Sequence, residues 1–204
     1  MNDIHPRELG CVAYEDTLDA MRDLAIAVAA GRRRGEVWFL EHRPVYTAGR
    51  AATRDEALAI GAVPIERGGR ITYHGPGQLV VYPIVRLPER DVGAWLRRLE
   101  RYGSALCAAF GLEATPSPDG TGVFVDGRKI ASIGVALRRW TNLHGIAVNV
   151  DLDLAPFFAI RPCGLAPEVM TDLTRAAGRP VAMHEVVEVA RESLPVLLAP
   201  SADS

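Results

Sequence analysis

The 204-residue chain is poor in several things that would place a protein at once. Cysteine occurs three times, at Cys11, Cys107 and Cys163, an odd number, widely separated and in no CxxC or other metal-ligand spacing. That argues against a disulfide framework and against a zinc site, and predicts free thiols. No apolar run approaches the roughly 18 residues of a membrane span, and the opening MNDIHPRELG lacks the apolar stretch of a secretory signal. The expectation is a soluble cytoplasmic protein without a membrane partner. Surplus charge is missing as well: a net charge of −2 with 24% charged residues gives no polycation, so nucleic acid is not an expected partner. Internal repeats are absent. At this length one domain over residues 1–204 is expected, with a tail that frays after about residue 195.

Scarcest of all is lysine. Lys129, in the stretch DGRKIAS, is the single lysine among 23 basic residues, and Arg128 beside it already supplies a fixed positive charge. Arginine stays protonated at any working pH, whereas a lysine amine can release its proton when its surroundings change. A lysine kept here points to a use for that proton, the alternative being a surface lysine that survives by accident.

What is present reads as a mixture of long helices and apolar strands. Residues 15–31 have helical periodicity, with Leu18, Met21, Leu24, Ala25 and Val28 on one face and Gly31 as the stop. A second helix over 91–111 carries its stripe on Val92, Trp95, Leu96, Leu99, Leu106 and Phe110, and a third over 181–194 is stopped or kinked at Pro195. Strands are expected over 36–42, 78–87, 121–125, 129–140 and 143–150. Asp126–Gly127 predicts a hairpin turn, and Trp140–Thr141–Asn142 the next connection, giving three consecutive antiparallel strands. Strands do not alternate regularly with helices, so the expected class is α+β, a mixed and largely antiparallel sheet flanked by helices.

Several segments could carry chemistry. RGGRITYHGPGQ, residues 67–78, sets four glycines around Arg67, Arg70, Thr72 and His74, either as a cradle of backbone N–H groups or as a tight pair of turns. It is neither a Walker A loop nor a dinucleotide fingerprint. Cys163 sits between Pro162 and Gly164, an irregular setting for a core residue, whereas Cys11 and Cys107 are expected to be small buried hydrophobes. A thiol becomes reactive when a neighbouring cation favours the thiolate, which Lys129 could supply. Cysteine with lysine suggests covalent acyl transfer through a thioester, the lysine later accepting a proton from the incoming nucleophile. Backbone N–H groups near Cys163 and in the glycine-rich loop would then hold the oxyanion. His42, His74 and His144 adjoin strands and turns with no role fixed by spacing, while His5 and His184 read as peripheral. Arginines 32–34, 97, 98, 101, 138 and 139 are read as a solvated face or a contact for an acidic partner.

Taken in order, RPVYTAGR, RGGRITYHGPGQLVVYPI, GRKIASIGV, HGIAVNVDLDLAPF and IRPCGL closely resemble the lipoyl(octanoyl) transferase family over about residues 40–175. The resemblance implies a fold like the catalytic core of biotin and lipoate protein ligases. It implies transfer of an octanoyl group from octanoyl-acyl carrier protein to a specific lysine of apo lipoyl domains. Acceptors would include the glycine cleavage H protein and the 2-oxoacid dehydrogenase acyltransferase components. It further implies a thioester on Cys163 with Lys129 as its dyad partner, and no ATP, metal or redox cofactor. The acyl pocket would be lined by Arg67, Gly68, Gly69, Arg70, Ile71, Thr72, Tyr73 and His74, by Ser132, Ile133 and Gly134, and by Gly145, Ile146 and Ala147. A monomer is expected. One departure is visible: the family commonly reads V-T-S-L after the PCG motif, where this chain has Met170-Thr171-Asp172-Leu173. Two other readings stay open, an ATP-dependent lipoate or biotin protein ligase and a non-catalytic module that binds acyl groups or lipoyl domains.

Overall fold

The structure, a computed structural model, describes residues 4–87, 89–116, 122–160 and 169–198. Its first half comprises β1 (His5–Val12), α1 (Tyr14–Ala29), β2 (Glu36–His42), β3 (Val45–Ala48), α2 (Arg54–Ala59), β4 (Val63–Pro64), β5 (Ile71–His74) and β6 (Gln78–Ile84). There follow α3 (Val92–Ala109), β7 (Ala114–Pro116), β8 (Gly122–Val125), β9 (Arg128–Arg138), β10 (Thr141–Asn149), a 3-10 turn at Ala155–Ala159, α4 (Leu173–Ala177), α5 (Met183–Glu192) and α6 (Leu194–Leu198). Seven strands form one sheet in the order β1-β2-β6-β10-β9-β8-β7, and β4-β3-β5 form a smaller one. Only the β1–β2 pair is parallel in the large sheet. The expected α+β class is what the chain adopts.

Both faces of the central strands are covered: every residue of β6 and β10 and all but one of β2 are buried, and β6 is a nearly continuous apolar run. Alternate side chains serve opposite cores. Phe39, Leu79, Val81, Ile146 and Val148 pack with Trp95, Leu99, Tyr102 and Leu106 of α3. Trp38, Leu40, Val80, Tyr82 and Ala147 pack with Met21, Leu24, Ala25 and Val28 of α1. The small sheet builds its own core of Ala48, Ile71, Tyr73 and Phe157. No helix among the described residues is long and apolar enough to cross a membrane.

The structure corrects several expectations in detail. Asp126 and Gly127 do form a tight hairpin turn, with φ of 49° and 72°. The next connection, however, is Arg139–Trp140, both at positive φ (48° and 64°), and Thr141 and Asn142 already belong to β10. Cys11 is exposed, because the edge strand β1 has a neighbour on one side only; Cys107 is buried as expected. Val92 opens α3 and is exposed, outside the stripe formed by Trp95, Leu99 and Leu106. Arg98 is no surface residue: it is 2% exposed and paired with Glu89 at 2.6 Å. Pro195 lies in the first turn of α6, where its missing N–H does no harm, and Leu197 is fully buried against the α3 core, so packing continues past residue 195.

Candidate active site

Lys129 is among the largest fully buried side chains of the protein, at 1% exposure. Its backbone is held from both sides: it pairs with Phe124 of β8, and its carbonyl accepts the Thr171 N–H at 2.9 Å. Its Nζ has no hydrogen-bond partner among the described residues and lies 5.8 Å from the centroid of the Phe124 ring. The direction of this side chain depends on an irregularity. Gly122 stands opposite Ser132 and Val123 opposite Ala131, but Phe124 stands opposite Lys129, so β9 carries one extra residue. Residues directly opposite in a ladder point to the same face, and Gly122 and Phe124 are two apart. The bulge therefore puts Lys129 and Ser132 on one face although three positions separate them. Without it the lysine would point into the α3 core.

On that face the strands form aligned rungs. Ser132 stands opposite Ala147, which stands opposite Val80; one step further, Gly134 stands opposite Gly145. A narrow cleft runs over these rungs and holds about 420 Å³ of unfilled space when its open mouth is counted. Of the sequence-predicted pocket residues, Arg67, Thr72, His74, Ser132, Ile133, Gly134, Gly145, Ile146 and Ala147 line it. Five others do not. Ile71 and Tyr73 face the core of the small sheet, Arg70 reaches out to Glu56, Gly69 is a turn residue with φ of 81°, and Gly68 donates its N–H to the Val135 carbonyl at 3.0 Å. Tyr14, Val80, Tyr82 and His144 complete the lining. Sequence reading gave no local signal for Tyr14 or Tyr82, which arrive from α1 and β6 only through folding.

Polar groups around the cleft are organised rather than scattered. Asn149 Nδ2 donates to the Thr171 carbonyl at 2.8 Å, so its Oδ1 accepts from Gln78 Nε2 at 2.9 Å. Gln78 Oε1 is then the acceptor for His74 Nδ1 at 2.7 Å, which leaves His74 Nε2 without its proton. This chain links strand β5 to the segment that pairs with Lys129. His42 Nε2 meets the Tyr82 hydroxyl at 2.9 Å, and the His42 and His74 rings lie 5.8 Å apart. Burial lowers the pKa of His42 to about 4 and that of His74 to about 3, the latter helped by repulsion from His42. His144 is likewise lowered by burial, against the pull of Glu66. Its Nε2 lies 3.8 Å from the Glu66 carboxylate, an electrostatic neighbour rather than a hydrogen-bond partner. Together His144 and Arg22, which donates two hydrogen bonds at 3.0 and 2.8 Å, hold that carboxyl well below the usual range.

The glycine-rich loop is less available to an oxyanion than its sequence suggests. Gly77 donates its N–H to Glu41 at 2.7 Å, and a Cβ there would lie 2.2 Å from the Asp151 carbonyl oxygen. The Gly68 N–H is engaged as well, so neither amide is free for an oxyanion, and at Gly77 the missing side chain serves close packing. Cys163 lies outside the described residues. No cluster of three or more His, Cys, Asp or Glu among the described residues could hold a metal ion.

Comparison with known proteins agrees with this architecture. The octanoyltransferase of Geobacter metallireducens is 43% identical over 196 residues, 94% of this chain and 92% of that protein. That of Thiobacillus denitrificans is 49% identical over 163 residues, 78% and 74% of the two chains. Among solved structures, a putative lipoate protein ligase from T. acidophilum with bound lipoic acid superposes with a TM-score of 0.71 at 18% identity, covering 97% of this chain and 86% of that one. The biotin protein ligase of Aquifex aeolicus gives 0.54 at 13% identity, covering 95% and 68%. These two likenesses establish the fold. The model of the lipoyl protein ligase A/B catalytic domain matches residues 13–194, and with relatives this similar over nearly the whole chain, the protein belongs to that family.

Proposed function

We propose that the chain transfers an octanoyl group from octanoyl-acyl carrier protein to a lysine of apo lipoyl domains, the glycine cleavage H protein among them, through a thioester on Cys163. The observation that carries this reading is the only lysine of the chain, buried, without a hydrogen-bond partner among the described residues, on the same face as the cleft. An ammonium is costly to bury alone, and a nearby thiolate is the counter-charge the chemistry calls for. The Cys163 thiolate attacks the donor thioester; the carrier thiol departs with a proton from the Lys129 ammonium, leaving a neutral amine. The acceptor lysine then attacks the acyl-Cys163 carbonyl, Lys129 takes the proton from that incoming nitrogen, and the thiolate is released. Each cycle returns the starting ion pair, and arginine cannot take the second role.

The test is intact-protein mass spectrometry after incubation with octanoyl-acyl carrier protein, followed by addition of an apo lipoyl domain without ATP. Wild type is expected to gain a hydroxylamine-labile octanoyl adduct that moves to the lipoyl domain. Cys163→Ser should show no such transfer, and Lys129→Arg should slow it by roughly 10²- to 10⁴-fold. Transfer by Cys163→Ser at the wild-type rate, or transfer that requires ATP, refutes the proposal.

A further inference from the structure

A charge buried as deeply as that of Lys129 needs something to face, and the described residues offer its Nζ no hydrogen-bond partner. What they offer is an aromatic ring. Phe124 stands directly opposite Lys129 in the β8–β9 ladder, and Nζ lies over its ring, 5.8 Å from the centroid. Within about 6 Å an ammonium is attracted to the electron-rich face of such a ring. The charged side chains of the adjoining segments have other settings. Arg128 donates to the Met170 carbonyl at 3.4 Å, Asp126 is exposed at the hairpin turn, and Asp172 caps α4 and pairs with Arg175.

The backbone brings ring and amine together. A Cβ on Gly122 would lie 2.5 Å from Lys129 Cε and 3.1 Å from Nζ, so the lysine leaves β9 opposite Phe124 and ends over Gly122, two residues back along β8. That step is about 6.6 Å, which an extended lysine stem covers while running beside Phe124. The bulge decides the pairing. Gly122 stands opposite Ser132 and Val123 opposite Ala131, so an unbroken ladder would set Phe124 against Ile130 and leave the lysine without a ring opposite. The attraction also distinguishes the two forms of the amine, since it acts on the ammonium and vanishes for the neutral group. In the transfer cycle the ammonium is the form that gives its proton to the departing carrier thiol and is restored by the acceptor lysine. A carboxylate in the same place would compete with the Cys163 thiolate for that charge; a ring face holds the ammonium without doing so.

We propose that Phe124 is a positioning residue whose ring face seats the Lys129 ammonium over Gly122 and favours the protonated amine until its proton is passed on. The role in catalysis rests on the acyl-transfer reading above, whereas the seat is tested without it, because the single lysine of the chain gives a single signal. In protein made with lysine carrying carbon-13 at Cε, the Lys129 methylene protons are expected to resonate upfield of those of free lysine through the ring current, and to lose that shift in Phe124→Leu. The same position in both proteins overturns the proposal. Acyl-enzyme formation from octanoyl-acyl carrier protein is then timed by single-turnover mass spectrometry in wild type, Phe124→Tyr, Phe124→Leu and proteins with mono-, di- and trifluorophenylalanine at position 124. Fluorine withdraws electron density from the ring face at nearly constant size, so each one should slow the step about twofold, Phe124→Leu roughly 3- to 30-fold and Phe124→Tyr hardly at all, with the half-saturating donor concentration unchanged. A flat fluorinated series with only Phe124→Leu slow makes the ring mere packing and overturns the proposal while transfer stands. Absence of any adduct in wild type overturns the transfer reading and the role in catalysis with it, and the resonance of Lys129 still decides the seat.

Discussion

At the scale of single residues, the site depends on what is left out beside Lys129. Gly122 has the extended backbone of a strand and is not among the glycines at positive φ, so its lack of a side chain provides space rather than conformational freedom. A Cβ there would lie 2.5 Å from Lys129 Cε and equally close to the Ala131 carbonyl oxygen. Gly122→Ala is therefore expected to displace the amine by a fraction of an ångström to an ångström, slowing acyl-enzyme formation by about 10²-fold with little change in the donor concentration needed for half saturation. Strand separation should also cost about 1–3 kcal/mol, read as a lower melting temperature. Single-turnover kinetics across donor concentrations check this; a variant as fast as wild type would show that the lysine is seated by something else. Asp172 illustrates the opposite case, a departure from the family pattern that the structure explains. Its Oδ1 accepts the Arg175 N–H at 2.8 Å as the N-cap of α4, and its carboxylate pairs with the Arg175 side chain. Serine and aspartate cap helices about equally well, so the change preserves the turn beside Thr171.

At the scale of elements, the amide chain from His74 through Gln78 and Asn149 to Thr171 joins β5, β6, β10 and the segment leading into α4. All four residues are buried. Asn149→Ala would strand the Gln78 amide and the Thr171 carbonyl, a loss of about 2–3 kcal/mol and roughly 5–10 °C in melting temperature. Because Thr171 holds the backbone of Lys129, acyl-enzyme formation should fall as well. Asn149→Asp, which keeps the acceptor for Gln78 but sets a buried carboxylate against the Thr171 carbonyl, should cost at least as much at neutral pH; thermal denaturation of the pair decides, and an unchanged melting temperature in Asn149→Ala would refute the linkage. None of this was legible in sequence, since Gln78 and Asn149 are 71 positions apart. What could be read were elements whose own pattern suffices: α1 and α3 through helical stripes, β2, β6 and β10 through β-branched and aromatic residues bounded by turn signals. Edge strand β1 lacks such a run because most of it faces solvent, and β3, β4 and β7 are too short to show a period. The bulge that aims Lys129 is the sharpest omission. KIASIGV reads as one uninterrupted strand, and only pairing with β8 reveals the extra residue. Lys129 itself was legible, through scarcity; the cleft was legible in part, through Arg67, Thr72 and His74 among the loop glycines and, at 132–134 and 145–147, through the family resemblance.

At the scale of the whole molecule, several titratable groups are held in one protonation state by the fold, and their linkage sets how stability responds to pH. His42, His74 and His144 are buried between α1, β5 and the large sheet, with the Arg67 guanidinium nearby adding repulsion for His74 and His144. In the unfolded chain each titrates near 6.5; in the fold His42 is lowered to about 4 and His74 to about 3 by burial. Between those values the unfolded state binds more protons than the native state, so stability falls as pH falls. The full stability is present above about pH 6.5 and is lost progressively toward pH 4 and 3, at up to about 1.4 kcal/mol per pH unit for each histidine that must stay neutral. Glu66 has the same sign but acts later, because its unfolded value is 4.5 and its stabilising charge is lost only below that. The window from pH 6.5 to 4.5 thus belongs to the histidines. Urea midpoints taken at pH 7.5, 6.5, 5.5 and 4.5 should be level between the first two and then decline, with little change in slope of the individual transitions. His42→Gln, which retains a hydrogen-bonding group for Tyr82 but removes one ionisation, should flatten that decline by about a third while lowering stability at pH 7.5. Midpoints that stay level from pH 7.5 to 5 would mean that the three rings do not remain neutral together in the folded protein, and the polar wall of the cleft would then have to carry positive charge.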